Sequence, residues 1–209
     1  MATKVESEIK YRIADSSFVQ ELLAAKQLGP CEIAGFQTRR HHDTYLDTAD
    51  RAFMALGYAF RYRRTATRGI VQLKSLNKSS GHVHRRTELW AETDHPAAPQ
   101  TWTPGPARDM AMDILRHKTL HPLFEVRQNR HFTNLVHEGI VVSEMSIDEV
   151  VWLAGGRESH AWELEIELAD ACSEALMHSI DDELVRRGKI IPQNQSKFER
   201  GLALLEMAD

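Results

Sequence analysis

Two short runs carry charge at every second position. They are Val5-Glu6-Ser7-Glu8-Ile9-Lys10 near the start and Glu163-Leu164-Glu165-Ile166-Glu167-Leu168 near the other end. Alternate residues of a strand share a face, so each run would gather its charges on one side. A buried face of unpaired carboxylates is too costly to serve as a core. Carboxylates gathered this way suit Mg²⁺ or Mn²⁺, hard ions that take oxygen ligands. The opposite charge is concentrated between Arg51 and Thr87, a stretch without Asp or Glu that carries Arg51, Arg61, Arg63, Arg64, Arg68, Lys74, Lys78, Arg85 and Arg86. From His131 to Asp170 the sign reverses, with Glu138, Glu144, Asp148, Glu149, Glu158, Glu163, Glu165, Glu167 and Asp170 against Arg157 alone. A basic block by itself would point to nucleic acid. A basic and an acidic block in one compact unit point instead to a small polyanion held together with its metal ions.

These groups need elements to position them. Residues 3–13 alternate as a strand. Asp15-Ser16-Ser17 offers caps for a helix whose apolar side is Phe18, Val19, Leu22, Leu23 and Leu28, with Gly29-Pro30 as its stop. Residues 32–46 read as extended, and a short helix over 48–56 closes at Gly57. Strands are expected over 58–65, 69–76 and 83–93, with turns at 67–69 and at Ser79-Ser80-Gly81. Residues 94–106 form a Pro- and Gly-rich loop, and 107–119 a helix. Three more strands follow over 123–137, 139–152 and 159–169, then helices over 173–187 and 196–207. The pattern is α+β with an antiparallel sheet of about eight strands.

Each strand has two unlike faces. Glu6, Glu8 and Lys10 oppose Val5 and Ile9. Arg61 and Arg63 oppose Tyr58, Phe60 and Tyr62, while Gln72 and Lys74 oppose Val71 and Leu73. Glu144, Ser146 and Asp148 oppose Val141, Met145 and Ile147, and Glu163, Glu165 and Glu167 oppose Trp162, Leu164, Ile166 and Leu168. Any one such strand could be a sheet with its charges in water. The separation of sign argues otherwise, because like charges two residues apart stand only ~7 Å from one another and repel unless opposite charge is brought to them. A closed eight-stranded antiparallel β-barrel meets this requirement, with the charged faces lining a tunnel and the helices packed on the apolar outside. Eight strands leave room for a small ligand.

At this point the residues resemble a known family. Glu6-x-Glu8-x-Lys10 resembles the N-terminal signature of the CYTH superfamily, the triphosphate tunnel metalloenzymes. Tyr45-Leu46-Asp47-Thr48, Arg61-Tyr62-Arg63, Gln72-Leu73-Lys74, Asn129-Arg130, Ile147-Asp148, Glu163–Glu167 and Ser196-Lys197-Phe198-Glu199-Arg200 are similar to later segments of that family, in the same order. The resemblance implies an eight-stranded tunnel that acts on a triphosphate. It implies metal binding by Glu6, Glu8, Asp148, Glu163, Glu165 and Glu167, with spacing leaving open which two of the last three bind. It implies phosphate binding by Lys10, Arg61, Arg63, Lys74, Arg130 and Lys197, with Glu6, Glu8 and Lys10 in the catalytic role. Arg86 and Arg127 are further phosphate candidates. The expected cofactor is Mg²⁺ or Mn²⁺.

The expected reaction is hydrolysis of inorganic triphosphate. Thiamine triphosphate hydrolysis or a class IV-type adenylyl cyclase is the enzymatic alternative, and a non-catalytic polyphosphate binder the alternative outside enzymes. The expected partner is a triphosphate-containing small molecule, without nucleic acid or membrane, in a chain able to form a homodimer. Trp90, Trp102, Trp152 and Trp162 read as core residues. The histidine pairs at 41–42, 82 and 84, and 117 and 121 read as surface residues, because none has a third ligand nearby in sequence. No GxxxxGK[ST] or GxGxxG occurs, which leaves P-loop and Rossmann binding without support.

The bulk properties agree with this reading. The 209 residues, 42% hydrophobic and 27% charged, fit one domain spanning 1–209. No apolar run approaches the ~20 residues of a membrane span, and charge at Lys4 and Glu6 is unlike a signal peptide. Cys31 and Cys172, far apart in sequence, form neither a disulfide framework nor a metal cluster. A cytoplasmic location is the expectation.

Overall fold

The computed structural model describes residues 3–65, 67–76 and 81–207. The elements are β1 (Thr3–Ile13), α1 (Ser17–Ala24), β2 (Gln27–Leu28), β3 (Cys31–Ile33), β4 (Gln37–Thr48), α2 (Ala52–Ala55), β5 (Tyr58–Arg64), β6 (Gly69–Ser75), β7 (Val83–Glu92), α3 (Pro106–Leu115), β8 (Leu120–His137), β9 (Ile140–Ala154), β10 (Arg157–Leu168), α4 (Glu174–Arg187), β11 (Ile190–Pro192) and α5 (Lys197–Glu206). Eight antiparallel strands close on themselves in the order β1-β10-β9-β8-β4-β5-β6-β7, with β7 returning to β1. The fold is the expected closed α+β barrel. β3 extends the sheet from β8, and β11 pairs with the second half of β1.

The alternation seen in the sequence becomes an inside and an outside. Ile9, Tyr11, Met145, Ile147, Leu164 and Ile166 face out and are buried beneath α1 and α4 with Phe18, Leu22, Ile180 and Leu184. Phe60, Val71, Leu73 and Leu89 face out beneath α2 and α3. The third cluster lies across one end of the barrel. Tyr45, Phe124, Val126, Val150 and Trp152 continue the inner faces of their strands, and Phe198 of α5 packs among them. The Tyr45 and Phe124 rings stack at 4.8 Å, with Phe198 5.5 and 5.9 Å from them. α5 therefore seals this end of the tunnel, and Gly201 lets it sit directly against the Phe124 ring. The Trp152 indole N–H fixes the start of α5 by donating to the Lys197 carbonyl at 2.9 Å.

Three expectations shift locally. α1 ends at Ala24, because Ala25 turns extended. Leu28 belongs to a hairpin in which Gln27 pairs with Glu32 and Leu28 with Cys31, so Gly29-Pro30, with Gly29 at φ +56°, is its turn rather than a helix stop. α2 is a single turn, Ala52–Ala55. Asp47 makes it possible by accepting from the Phe53 and Met54 amides at 3.0 and 3.1 Å. α3 ends at Leu115, four residues before the expected end. The predicted turn at Ser79-Ser80 and the basic residue Lys78 lie outside the described residues.

Candidate active site inside the barrel

The inner wall encloses a cavity of about 290 Å³. Of the predicted site residues, Glu6, Glu8, Lys10, Arg61, Arg63, Lys74, Arg130, Glu165, Glu167 and Lys197 line it, together with Arg86. Asp148 and Glu163 lie behind that lining, fully buried. The strand register explains the convergence. Lys10 pairs across with Glu165, Glu163 with Asp148, and Arg130 with Asp148, so alternating positions on β1, β10, β9 and β8 meet on the inner face.

At the mouth Arg39 meets Glu144 at 3.0 Å, and Lys4 pairs with Glu167. Deeper, Lys74 lies 2.8 Å from Glu6 and 3.5 Å from Glu88, and Arg86 pairs with Glu8. On the facing wall Arg63 grips Asp43 with two bonds of 2.7 Å, and Arg61 approaches the same carboxylate at 3.5 Å. Beside the sealed end, Lys197 stands 3.0 Å from both Asp148 and Glu163 and also binds Glu165. Lys10 reaches Glu163 and Glu165 at 3.0 and 3.2 Å, and Arg200 holds Glu163 at 2.8 Å.

Burial would raise every one of these carboxyls, and the cations decide which are lowered instead. Lys74, with Arg86 and Arg61 behind it, more than reverses burial at Glu6 and brings it to about 2. Arg130 and Lys197 lower Asp148, while Lys10 and Lys197 lower Glu163. Lys197, Lys10 and Arg130 hold Glu165 well below the usual range. Glu8 is the exception: burial and then the facing Glu165 raise it, and Arg86 does not compensate. Glu8 thus differs from its neighbours first because it is buried, with Glu165 and Glu6 close by and Arg86 and Lys10 opposing. Among the described residues no three carboxylates or histidines form a ready-made metal cage. The donor chemistry nevertheless fits a hard divalent cation: Glu6, Glu8, Glu165 and Glu167 bring carboxylate oxygens to the lumen, each held by a lysine or arginine.

The sequence model of the CYTH domain matches residues 4–202. The chain belongs to the CYTH domain family. Its barrel is also similar to solved CYTH-fold structures. One is the putative adenylyl cyclase HpAC1 from Hippeastrum, which has a dominant triphosphatase activity; it is 22% identical, with a TM-score of 0.72 over 98% of this chain and 96% of that one. Another is a putative adenylate cyclase from Bacillus halodurans, 15% identical, with a TM-score of 0.64 over 96% of this chain and 98% of that one. A third, PH1819 from Pyrococcus horikoshii, is 17% identical, with a TM-score of 0.56 over 96% and 99%. At these identities the likeness shows the fold. No curated protein matches the sequence.

Several residues of this CYTH chain stand elsewhere than their sequence suggested. Arg127 faces outward with a 61% exposed side chain, paired with Glu125 at 3.6 Å, whereas Arg86 lines the tunnel. His41 and His84 are buried, not on the surface, because both occupy inner-face positions, on β4 and β7. Trp102 and Trp152 are core residues and Trp162 is half-buried, but Trp90 is 40% exposed. It stands two residues beyond Glu88, on the same face of β7. Asp43 and Glu88 were not singled out in the sequence. Each could have been found by carrying the alternation along its strand, from Tyr45 back to Asp43 and from Arg86 on to Glu88. Among the described residues no helix is long and apolar enough to cross a membrane.

Proposed function

We propose that the tunnel binds a triphosphate and hydrolyses its terminal phosphoanhydride bond, with inorganic triphosphate giving pyrophosphate and phosphate. One observation carries this reading: a blind, water-accessible cavity in which the cations of Lys10, Arg61, Arg63, Lys74, Arg130 and Lys197 converge opposite carboxylates. The triphosphatase activity of HpAC1 supports the same class. Because α5 seals one end, a triphosphate enters from the other, phosphate first. Arg61 and Arg63, oriented by Asp43, and Arg86 would receive its oxygens, with Lys10, Lys74, Arg130 and Lys197 neutralising charge as it grows on the leaving pyrophosphate.

Glu6, Glu8, Glu165 and Glu167 would hold Mg²⁺ or Mn²⁺. Such an ion, when bound, supplies neutralisation of phosphate oxygens and a more acidic water. Asp148 and Glu163, also implied as ligands by the family resemblance, are enclosed by Arg130, Lys10, Lys197 and Arg200. We assign them to holding those cations in place. A lumen glutamate near the attacking water would accept its proton. The water oxygen bonds to the terminal phosphorus, the bridging P–O bond breaks with its electron pair leaving on pyrophosphate, and the water's proton passes to that glutamate.

A second reading, turnover of ATP, is favoured by Trp90, an exposed indole on the face of β7 that carries Arg86 and Glu88, which could stack on a base left outside. The paired assay is phosphate release from inorganic triphosphate and cyclic AMP formation from ATP, each with Mg²⁺ or Mn²⁺. Release from triphosphate without cyclic AMP supports the hydrolase. Cyclic AMP favours the cyclase. Tight triphosphate binding without either product means a binding module.

A further inference from the structure

Lys197 is delivered to the tunnel lining by the short segment between β11 and α5. β11 runs along Tyr11–Ile13 of β1 and β7 along Thr3–Ile9, so the two meet on that edge of β1 at Lys10, whose amide donates to the His82 carbonyl at 2.9 Å. Gln193 follows β11 directly at this junction. Its amide donates to the Lys10 carbonyl at 3.0 Å. Its carbonyl lies 2.9 Å from Nε2 of His84. A carbonyl can only accept, so this nitrogen carries the proton and donates. Three residues later Ser196 caps α5 with a reciprocal box to Glu199, and Lys197 follows. His84 is 3% exposed and, although on the inner face of β7, it lines a small space with Arg86, Ser196 and Glu199 rather than the phosphate cavity. It therefore touches the segment that delivers Lys197 rather than the phosphate cavity.

We propose that His84 is a positioning residue for Lys197: with the Lys10 carbonyl it clamps Gln193 and so fixes where the lysine enters the lumen. This rests on the triphosphate reading for its kinetic consequence, but the clamp can be tested without it. Replacing His84 with Phe keeps a flat ring and removes the donor. Hydrogen exchange in the Gln193–Gly201 segment should then rise about tenfold, roughly the equilibrium effect of one net hydrogen bond. In turnover of inorganic triphosphate, kcat/KM should fall about tenfold, and His84→Gln, which retains an N–H donor, should recover most of the loss. Lys197→Ala combined with His84→Phe should be no worse than Lys197→Ala alone, because residues acting through one group are not additive. Unchanged exchange, or losses that multiply in the double variant, would overturn the proposal. If His84→Phe fails to fold, His84→Met carries the same expectations. If the wild-type protein neither binds nor cleaves triphosphate, the functional reading fails while the exchange result still decides the clamp.

Discussion

Asp43 offers the sharpest test of how the basic wall is held. It is fully buried and accepts two 2.7 Å bonds from Arg63, one of 2.9 Å from Gln128 and a longer one from Arg61. Asp43→Asn keeps the shape and removes the charge that answers two arginines. Breaking a buried pair by removing one partner costs about 3–5 kcal/mol. The asparagine oxygen still accepts one bond, and the arginines border a wet cavity, so the low end applies, about 3 kcal/mol. In a domain of this size each kcal/mol lowers Tm by about 2–4 °C, so the variant should melt about 6–12 °C below wild type at pH 7. The pH course follows from the direction of the shift. Burial alone would raise the Asp43 carboxyl, but Arg63 and Arg61 outweigh it and hold the group well below its usual range. Its contribution is then fully present above the unfolded value of about 3.9 and is lost as pH falls through the lower folded value. Thermal melts by circular dichroism should give a constant gap from pH 8 to 5.5 that narrows only in acid. An unchanged Tm at pH 7, or a gap that closes between pH 8 and 6, would refute the reasoning.

Three further outcomes can be checked. Gly201→Ala places a methyl group inside the Phe124 ring's contact surface and should cost about 1–3 kcal/mol, read as a lower Tm; an unchanged Tm would mean that α5 does not lie against the ring. His41, lowered to about 3 by burial and then by Arg63, should stay neutral across physiological pH. Histidine NMR should therefore show no transition for the His41 ring between pH 5 and 8, and a His41 midpoint near 6.5 would contradict its placement. Arg86→Ala should raise KM for triphosphate about tenfold or more, as loss of a charge-assisted contact does, while Arg127→Ala should leave it unchanged; equal effects would contradict their opposite facings.

Strand alternation was enough to place Glu6, Glu8, Lys10, Arg61, Arg63, Lys74 and the 163–167 glutamates on one side of their strands, and sign segregation made that side the interior. It worked there because a period of two is local and survives any packing. Asp43 and Glu88 obey the same rule, yet each is a lone acid among basic residues, so no run of like charge marks it. His41 and His84 illustrate a different gap: whether an imidazole is buried depends on which side closes into the tunnel and on a loop more than a hundred residues away. The end of α1 was misplaced because Gly29-Pro30 serves equally as a helix stop or a hairpin turn, and the choice belongs to the β3 pairing with β8. The sealing of the barrel by Phe198 was not legible either. Its partners Tyr45, Phe124 and Trp152 come from three separate strands and meet only after closure.

The most direct test of the central claim is phosphate release from inorganic triphosphate by wild-type protein and Glu8→Gln, side by side, with Mg²⁺ or Mn²⁺ present and then chelated. The account predicts release by wild type that stops on chelation, and none by Glu8→Gln with its circular dichroism unchanged. Full activity in Glu8→Gln, or release that persists without divalent cation, would contradict it.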